Sequence, residues 1–225
     1  MSTFRHKPTG KKFFFAHIPR TAGRFIETNL MVKNEFEWCD DWTKFGIQRM
    51  YESYKGIEFG HFHREYYKKY LNVEGIPQIS IIRNPLKRFI SASIYINRVY
   101  GRDTNGQYSE ESLQECQSLM EDENYFYTML QNFPMMMPES SNWYRSQMDF
   151  LTEETQIWRF EDGFKDEFVS WLGGTIGVDL EFQEDLPYLT APDEGVKLKP
   201  TPKLLNNLRN LYRKEIELYY PELAA

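Results

Sequence analysis

An α/β fold with a central parallel sheet is predicted by three observations. Two apolar runs, Phe13-Phe14-Phe15-Ala16 and Ile79-Ser80-Ile81-Ile82, are strand-length and bounded by breakers. A stretch with helical spacing of its apolar residues follows each run. The same order returns near residue 156, and strands that alternate with helices imply a parallel sheet with helices on both faces. Ligands of such folds sit beyond the C-terminal ends of the strands.

Each element has a local reason. Residues 12–17 form the first strand and 24–33 the first helix. Residues 38–54 are aromatic and irregular, with room for a short helix. Residues 56–60 give a short strand that delivers His61 to a loop, and residues 64–71 a helix with Tyr66, Tyr67, Tyr70 and Leu71 on one side. The strand 79–83 leads into a helix over 85–99, started by Asn84 as cap and Pro85 in the first turn. Leu86, Phe89, Ile90 and Ile94 make its apolar stripe. A polar turn over 101–109 precedes helices over 110–120 and 124–131, and Pro134-Met135-Met136-Met137-Pro138 breaks the pattern, as a lip over a site or a buried plug. A strand over 156–160, a helix over 162–172 and a last helix over 202–219 complete the chain. Neither an internal repeat nor a linker is visible, so residues 1–225 read as one domain.

Composition narrows the function classes. The 225 residues are 41% hydrophobic and 16% aromatic, enough for a substantial core. A net charge of −6 argues against general nucleic-acid binding, which relies on neutralising many phosphates. Positive charge is local instead: Arg20, Arg24, Arg83, Lys87 and Arg88, with a second cluster of His61, His63, Arg64, Lys68 and Lys69 that reads equally as a solvated helix face. No apolar run is long enough for a signal peptide or a membrane span, and Cys39 and Cys116 provide neither a disulfide framework nor metal-site spacing. The expectation is a cytoplasmic protein without a metal.

Two segments carry chemistry. His17-Ile18-Pro19-Arg20-Thr21-Ala22-Gly23-Arg24 joins a buried strand to a helix start, where N–H groups without intrahelical acceptors and the helix dipole favour an anion. It is not an ordinary P-loop, since it holds one glycine and no lysine. Arg83 closes the second strand, and Ser91 lies two turns into the following helix, spaced to grip one phosphate together. Each segment alone also reads as chain geometry or a solvated surface. In this order, each after a buried strand, they make a joint signal for phosphate binding.

The first segment resembles the 5′-phosphosulfate loop of sulfotransferases, and Arg83-Asn84-Pro85-Leu86-Lys87-Arg88-Phe89-Ile90-Ser91-Ala92 is similar to their 3′-phosphate motif. Gly60-His61 resembles the Gly-His element of the carbohydrate O-sulfotransferases, especially the uronyl 2-O type acting on heparan sulfate. Trp158-Arg159-Phe160-Glu161-Asp162 and Lys197-Leu198-Lys199-Pro200-Thr201 match later anchors of that group. The resemblance implies a P-loop-NTPase-like three-layer sandwich. It also implies 3′-phosphoadenosine 5′-phosphosulfate (PAPS) as sulfuryl donor, a carbohydrate acceptor and no metal.

His61 is then the general base, an imidazole that titrates near neutral pH, with His63 orienting the acceptor. Arg20 replaces the family's usual Lys and neutralises the leaving 5′-phosphate; as a guanidinium it cannot act as an acid. Thr21, Ala22 and Gly23 offer backbone N–H groups, and Arg24, in place of Thr or Ser, and Phe25 complete the cofactor-binding turn. Arg83 and Ser91 bind the 3′-phosphate. Trp143, Tyr144 and Arg145 either line an acceptor groove or pack under a loop. Two other readings stay open on the residues: a nucleotide or small-molecule kinase, lacking here a complete P-loop and a magnesium carboxylate, and a nucleotide- or glycan-binding relative without catalysis.

Overall fold

Among the described residues five strands make one mixed sheet in the order β3 (Phe36–Trp38), β1 (Ser2–His6), β2 (Lys12–Phe15), β6 (Gln78–Ile82) and β7 (Thr155–Arg159). In this computed structural model the described residues are 2–39, 53–54, 57–58, 61–100, 114, 117–118, 121, 144–182 and 200–224. They fall into two compact units, residues 1–83 with 147–190 and residues 84–146 with 191–225.

The first unit holds the sheet. β2 (Lys12–Phe15), β6 (Gln78–Ile82) and β7 (Thr155–Arg159) run parallel, with Phe15 opposite Ile79 and Ile82 opposite Arg159. β6 is buried along its whole length, as a central strand between two parallel neighbours must be. Its polar members are satisfied: Ser80 Oγ donates to the Ala16 carbonyl at 2.7 Å, and Gln78 Nε2 to Glu154 at 3.0 Å.

The parallel expectation holds for these three strands and fails at the sheet's other edge. β1 (Ser2–His6) pairs antiparallel with both β2 and β3 (Phe36–Trp38). The hairpin closes through Gly10, at φ 72°, whose N–H donates to the His6 carbonyl at 2.8 Å. Antiparallel neighbours need only a short turn, so no helix announces β1 in the sequence.

Alternation along the strands separates two faces. Phe4, Phe13, Phe15, Ile79 and Ile81 share a core with Phe25, Ile26 and Leu30 of α1 (Gly23–Lys33) and with Phe168, Leu172 and Ile176 of α4 (Asp166–Ile176). Phe14 points the other way and meets Tyr67 of α2 (Arg64–Tyr70), ring centroids 4.8 Å apart. Helices therefore cover both faces of this unit's sheet. The short strand expected before His61 is Ile57–Glu58 (β5), paired antiparallel with Ser53–Tyr54 (β4). The helix expected from residue 162 starts only at Asp166. A 3₁₀ turn over Phe160–Asp162 comes first, then Gly163 at φ 79° accepts the Trp158 indole N–H at 2.9 Å.

The second unit is helical where described. α3 (Pro85–Tyr100) begins as expected, with Asn84 Oδ1 accepting the N–H groups of Leu86 and Lys87, each at 3.1 Å. Leu86, Phe89 and Ala92 form a core with Tyr144, Leu204, Leu208, Tyr212 and Ile216. The last helix is two, α5 (Pro202–Leu211) and α6 (Arg213–Tyr219), although hydrogen bonds pass through the break at Tyr212. Of the helix expected over 110–120 only residues 114, 117 and 118 are described, all helical; the helix expected over 124–131, the proline-bounded methionines and most of 38–54 lie outside the described residues.

Candidate functional site

The turn after β2 is built on backbone strain. Arg20 and Ala22 adopt left-handed conformations, φ 66° and 68°, each costing a non-glycine residue on the order of 1–3 kcal/mol. Such conformations let successive N–H groups converge on an anion. The Thr21 hydroxyl donates to the Ile18 carbonyl at 2.8 Å, so its side chain braces the turn. α1 starts at Gly23 with no side-chain cap and no acidic residue in its first turn, whereas α4 starts with Asp166 and Glu167. An uncapped N-terminus flanked by Arg20 and Arg24 suits a phosphate or sulfate. These features fit the 5′ end of PAPS. Phe25 is a core residue, packed on Phe164 at 5.6 Å, which restricts any contribution to its backbone N–H.

The second strand end meets the first. Arg83 Nη1 donates to the Arg20 carbonyl at 3.1 Å. Its guanidinium lies over the Phe160 ring, 4.4 Å from the centroid, an arrangement that stabilises a cation. The register explains the contact: Ile82 is opposite Arg159, so the residues that follow are neighbours at the C-terminal edge. Gln147, fully buried, grips the Arg83 backbone from both sides. Its Oε1 accepts the Arg83 N–H at 2.8 Å and its Nε2 donates to the Arg83 carbonyl at 2.7 Å.

His61 and His63 are buried, unlike Arg64 and Lys68, so the second basic cluster divides into an inward and an outward half. The His61 ring stands edge-to-face against His17, centroids 4.8 Å apart at 70°. His17 is the residue of the phosphate turn to which sequence reasoning gave no role. Its Nδ1 lies 3.2 Å from Glu27 Oε1 of α1, and burial pushes its pKa down to about 4, although the Glu27 carboxylate acts in the opposite direction. A Cβ at position 23 would lie 2.0 Å from His17 Nε2, so only glycine admits the ring there.

These geometries bring His61, Arg20 and Arg83 into one unit, at the C-terminal edge of its parallel strands. Ser91 is buried on α3 of the second unit. Arg88, expected among the nucleotide's cations, is fully buried; its Nη2 donates to the Arg145 carbonyl at 2.6 Å and its guanidinium lies 5.8 Å from the Tyr212 ring centroid. Tyr144 is a core residue of that unit, which decides its case for packing, and Trp143 lies outside the described residues, as does Gly60. Gln147, Phe160 and the His17–Glu27 pair were missed. Only Phe160 left a signal, through its place in the Arg-Phe-Glu-Asp anchor.

The sulfotransferase family's sequence profile matches residues 3–171, well over half of the chain. The chain belongs to the sulfotransferase family. Members are PAPS-dependent transferases, so PAPS is the sulfuryl donor. Searches of curated proteins and of solved structures give no match. The mixed sheet with its parallel strands agrees with the P-loop-like fold of this sulfotransferase family. The profile covers both phosphate motifs, His61 and the Phe160 anchor, and names no acceptor. Among the described residues no helix is long and apolar enough to cross a membrane, and no group of acidic, histidine or cysteine side chains is arranged to hold a metal.

Proposed function

We propose that this sulfotransferase transfers the sulfuryl group of PAPS to a carbohydrate hydroxyl, with His61 as general base. The observation that carries the reading is the hydrogen bond from Arg83 to the Arg20 carbonyl, which ties the two phosphate motifs together. His61 takes the proton as the acceptor oxygen attacks sulfur. The bond from sulfur to the bridging oxygen breaks, and 3′,5′-ADP leaves with that electron pair. Arg20, Arg24 and the N-terminus of α1 balance the charge that develops on the departing phosphate; positioning and electrostatics do most of the work in such transfers. The resemblance of their motif assigns Arg83 and Ser91 to the 3′-phosphate. The carbohydrate assignment rests on the Gly60-His61 element and the likeness to uronyl 2-O enzymes.

The test uses radiolabelled PAPS with a panel of desulfated polysaccharides. Wild-type protein labels a polysaccharide, and His61→Ala and Arg20→Ala each lose transfer by about 10²–10⁴-fold, the usual worth of a general base or charge stabiliser. Full turnover by folded His61→Ala would remove the base. Label entering a protein or small phenol, and no polysaccharide, would remove the carbohydrate acceptor.

A further inference from the structure

Glu27 sits on the core face of α1, between Phe25, Ile26 and Leu30, and is only 4% exposed. A carboxylate there is costly unless a donor meets it, and an aliphatic residue would serve the core better. It meets His17 Nδ1, at 3.2 Å. That one bond orients a ring which touches three further things. Phe15 stacks on it at 5.5 Å and 11°. Gly23, the first residue of α1, lies against Nε2 closely enough to exclude any side chain. His61 meets it edge-to-face at 4.8 Å.

We infer that His17, held by Glu27, is a positioning residue that fixes the His61 imidazole relative to the phosphate turn. This rests on the reading of His61 as the base. The ring can do so because no rotation is open to it: Glu27 fixes one nitrogen, Gly23 flanks the other, and Phe15 supports a face. A misplaced base costs rate while leaving donor affinity intact, since the phosphate contacts come from other atoms. Burial also keeps His17 uncharged at neutral pH, so no second cation opposes protonation of its neighbour.

The experiment compares Glu27→Leu, Glu27→Gln and His61→Ala, each checked for folding by circular dichroism. The activity readout is hydrolysis of PAPS to 3′,5′-ADP, with water in place of the acceptor, and affinity is read by calorimetry with 3′,5′-ADP. Glu27→Leu should lower kcat by about 10–100-fold, the range for a displaced reacting group, with the 3′,5′-ADP Kd within twofold. Glu27→Gln retains an acceptor for Nδ1–H and should restore most of that loss. Wild-type kcat in Glu27→Leu alongside an inactive His61→Ala would overturn the positioning role alone. An active His61→Ala would overturn the base, and the positioning role with it. Equal losses in both Glu27 variants would show that charge matters and orientation does not.

A readout on wild-type protein needs neither turnover nor a folded variant. Imidazole nitrogen NMR should show His17 as a neutral Nδ1–H tautomer from pH 6 to 8, with ring contacts to His61. A His17 signal that titrates between pH 6 and 8, or the opposite tautomer, would overturn the inference.

Discussion

His17 shows how one side chain can make a site depend on pH through stability as well as catalysis. Its pKa is about 4 in the folded protein against an ordinary 6.5, because burial disfavours the imidazolium more than Glu27 favours it. The unfolded chain therefore binds more protons between those values, and stability rises with pH there. The contribution is complete above 6.5 and lost as pH falls toward 4, at most on the order of 3 kcal/mol. The melting temperature of the wild type should fall when the pH drops from 7 to 4.5. His17→Phe, which keeps a ring and cannot titrate, should give a visibly flatter profile in the same calorimetric series. Parallel profiles would show that other groups set the acid limit.

At the scale of elements, three strand ends do what no single motif could. The β2 turn supplies strained backbone and an uncapped helix start, β6 supplies Arg83, and β7 supplies the Phe160 ring beneath it. Gln147 decides where Arg83 sits, through hydrogen bonds to its backbone N–H and carbonyl. Gln147→Ala strands both groups where Gln147 itself was fully buried, at about 1–3 kcal/mol for each unsatisfied group. Denaturant unfolding should register that loss, and KM for PAPS should rise several-fold with a smaller change in kcat. A KM equal to the wild type would mean that Arg83 keeps its place without the amide.

The strand-to-helix order and the parallel core of the sheet were legible because each depends on local pattern: apolar run, breaker, cap, amphipathic stripe. Asn84 caps α3 with its side chain as its position after a buried strand predicts. The β1 hairpin was not legible, since antiparallel pairing needs no long connection. Gln147 and Glu27 were not legible either. A glutamine opening a 3₁₀ turn and a glutamate inside a helix are common at surfaces, and only burial reveals their work.

For the whole molecule, the donor product is the most direct probe. A ligand that binds only the folded state at 100 times its Kd adds about 2.7 kcal/mol, which corresponds to a melting shift of roughly 5–10 °C in a chain this size. 3′,5′-ADP should produce such a shift, and ATP with magnesium should produce little. Arg83→Ala and Ser91→Ala should reduce the response to 3′,5′-ADP much more than the response to 5′-AMP. Equal reductions for both nucleotides would remove the 3′-phosphate assignment.

The sequence by itself determined the α/β class and membership of the sulfotransferase family, because backbone pattern and residue type are local properties. Tertiary structure decided which of the candidate side chains serve the core. It turned Arg88, Phe25 and Tyr144 inward and set His17 between Glu27, Gly23 and His61. The reason is that burial and orientation arise from residues far apart in the chain, which spacing along it does not encode.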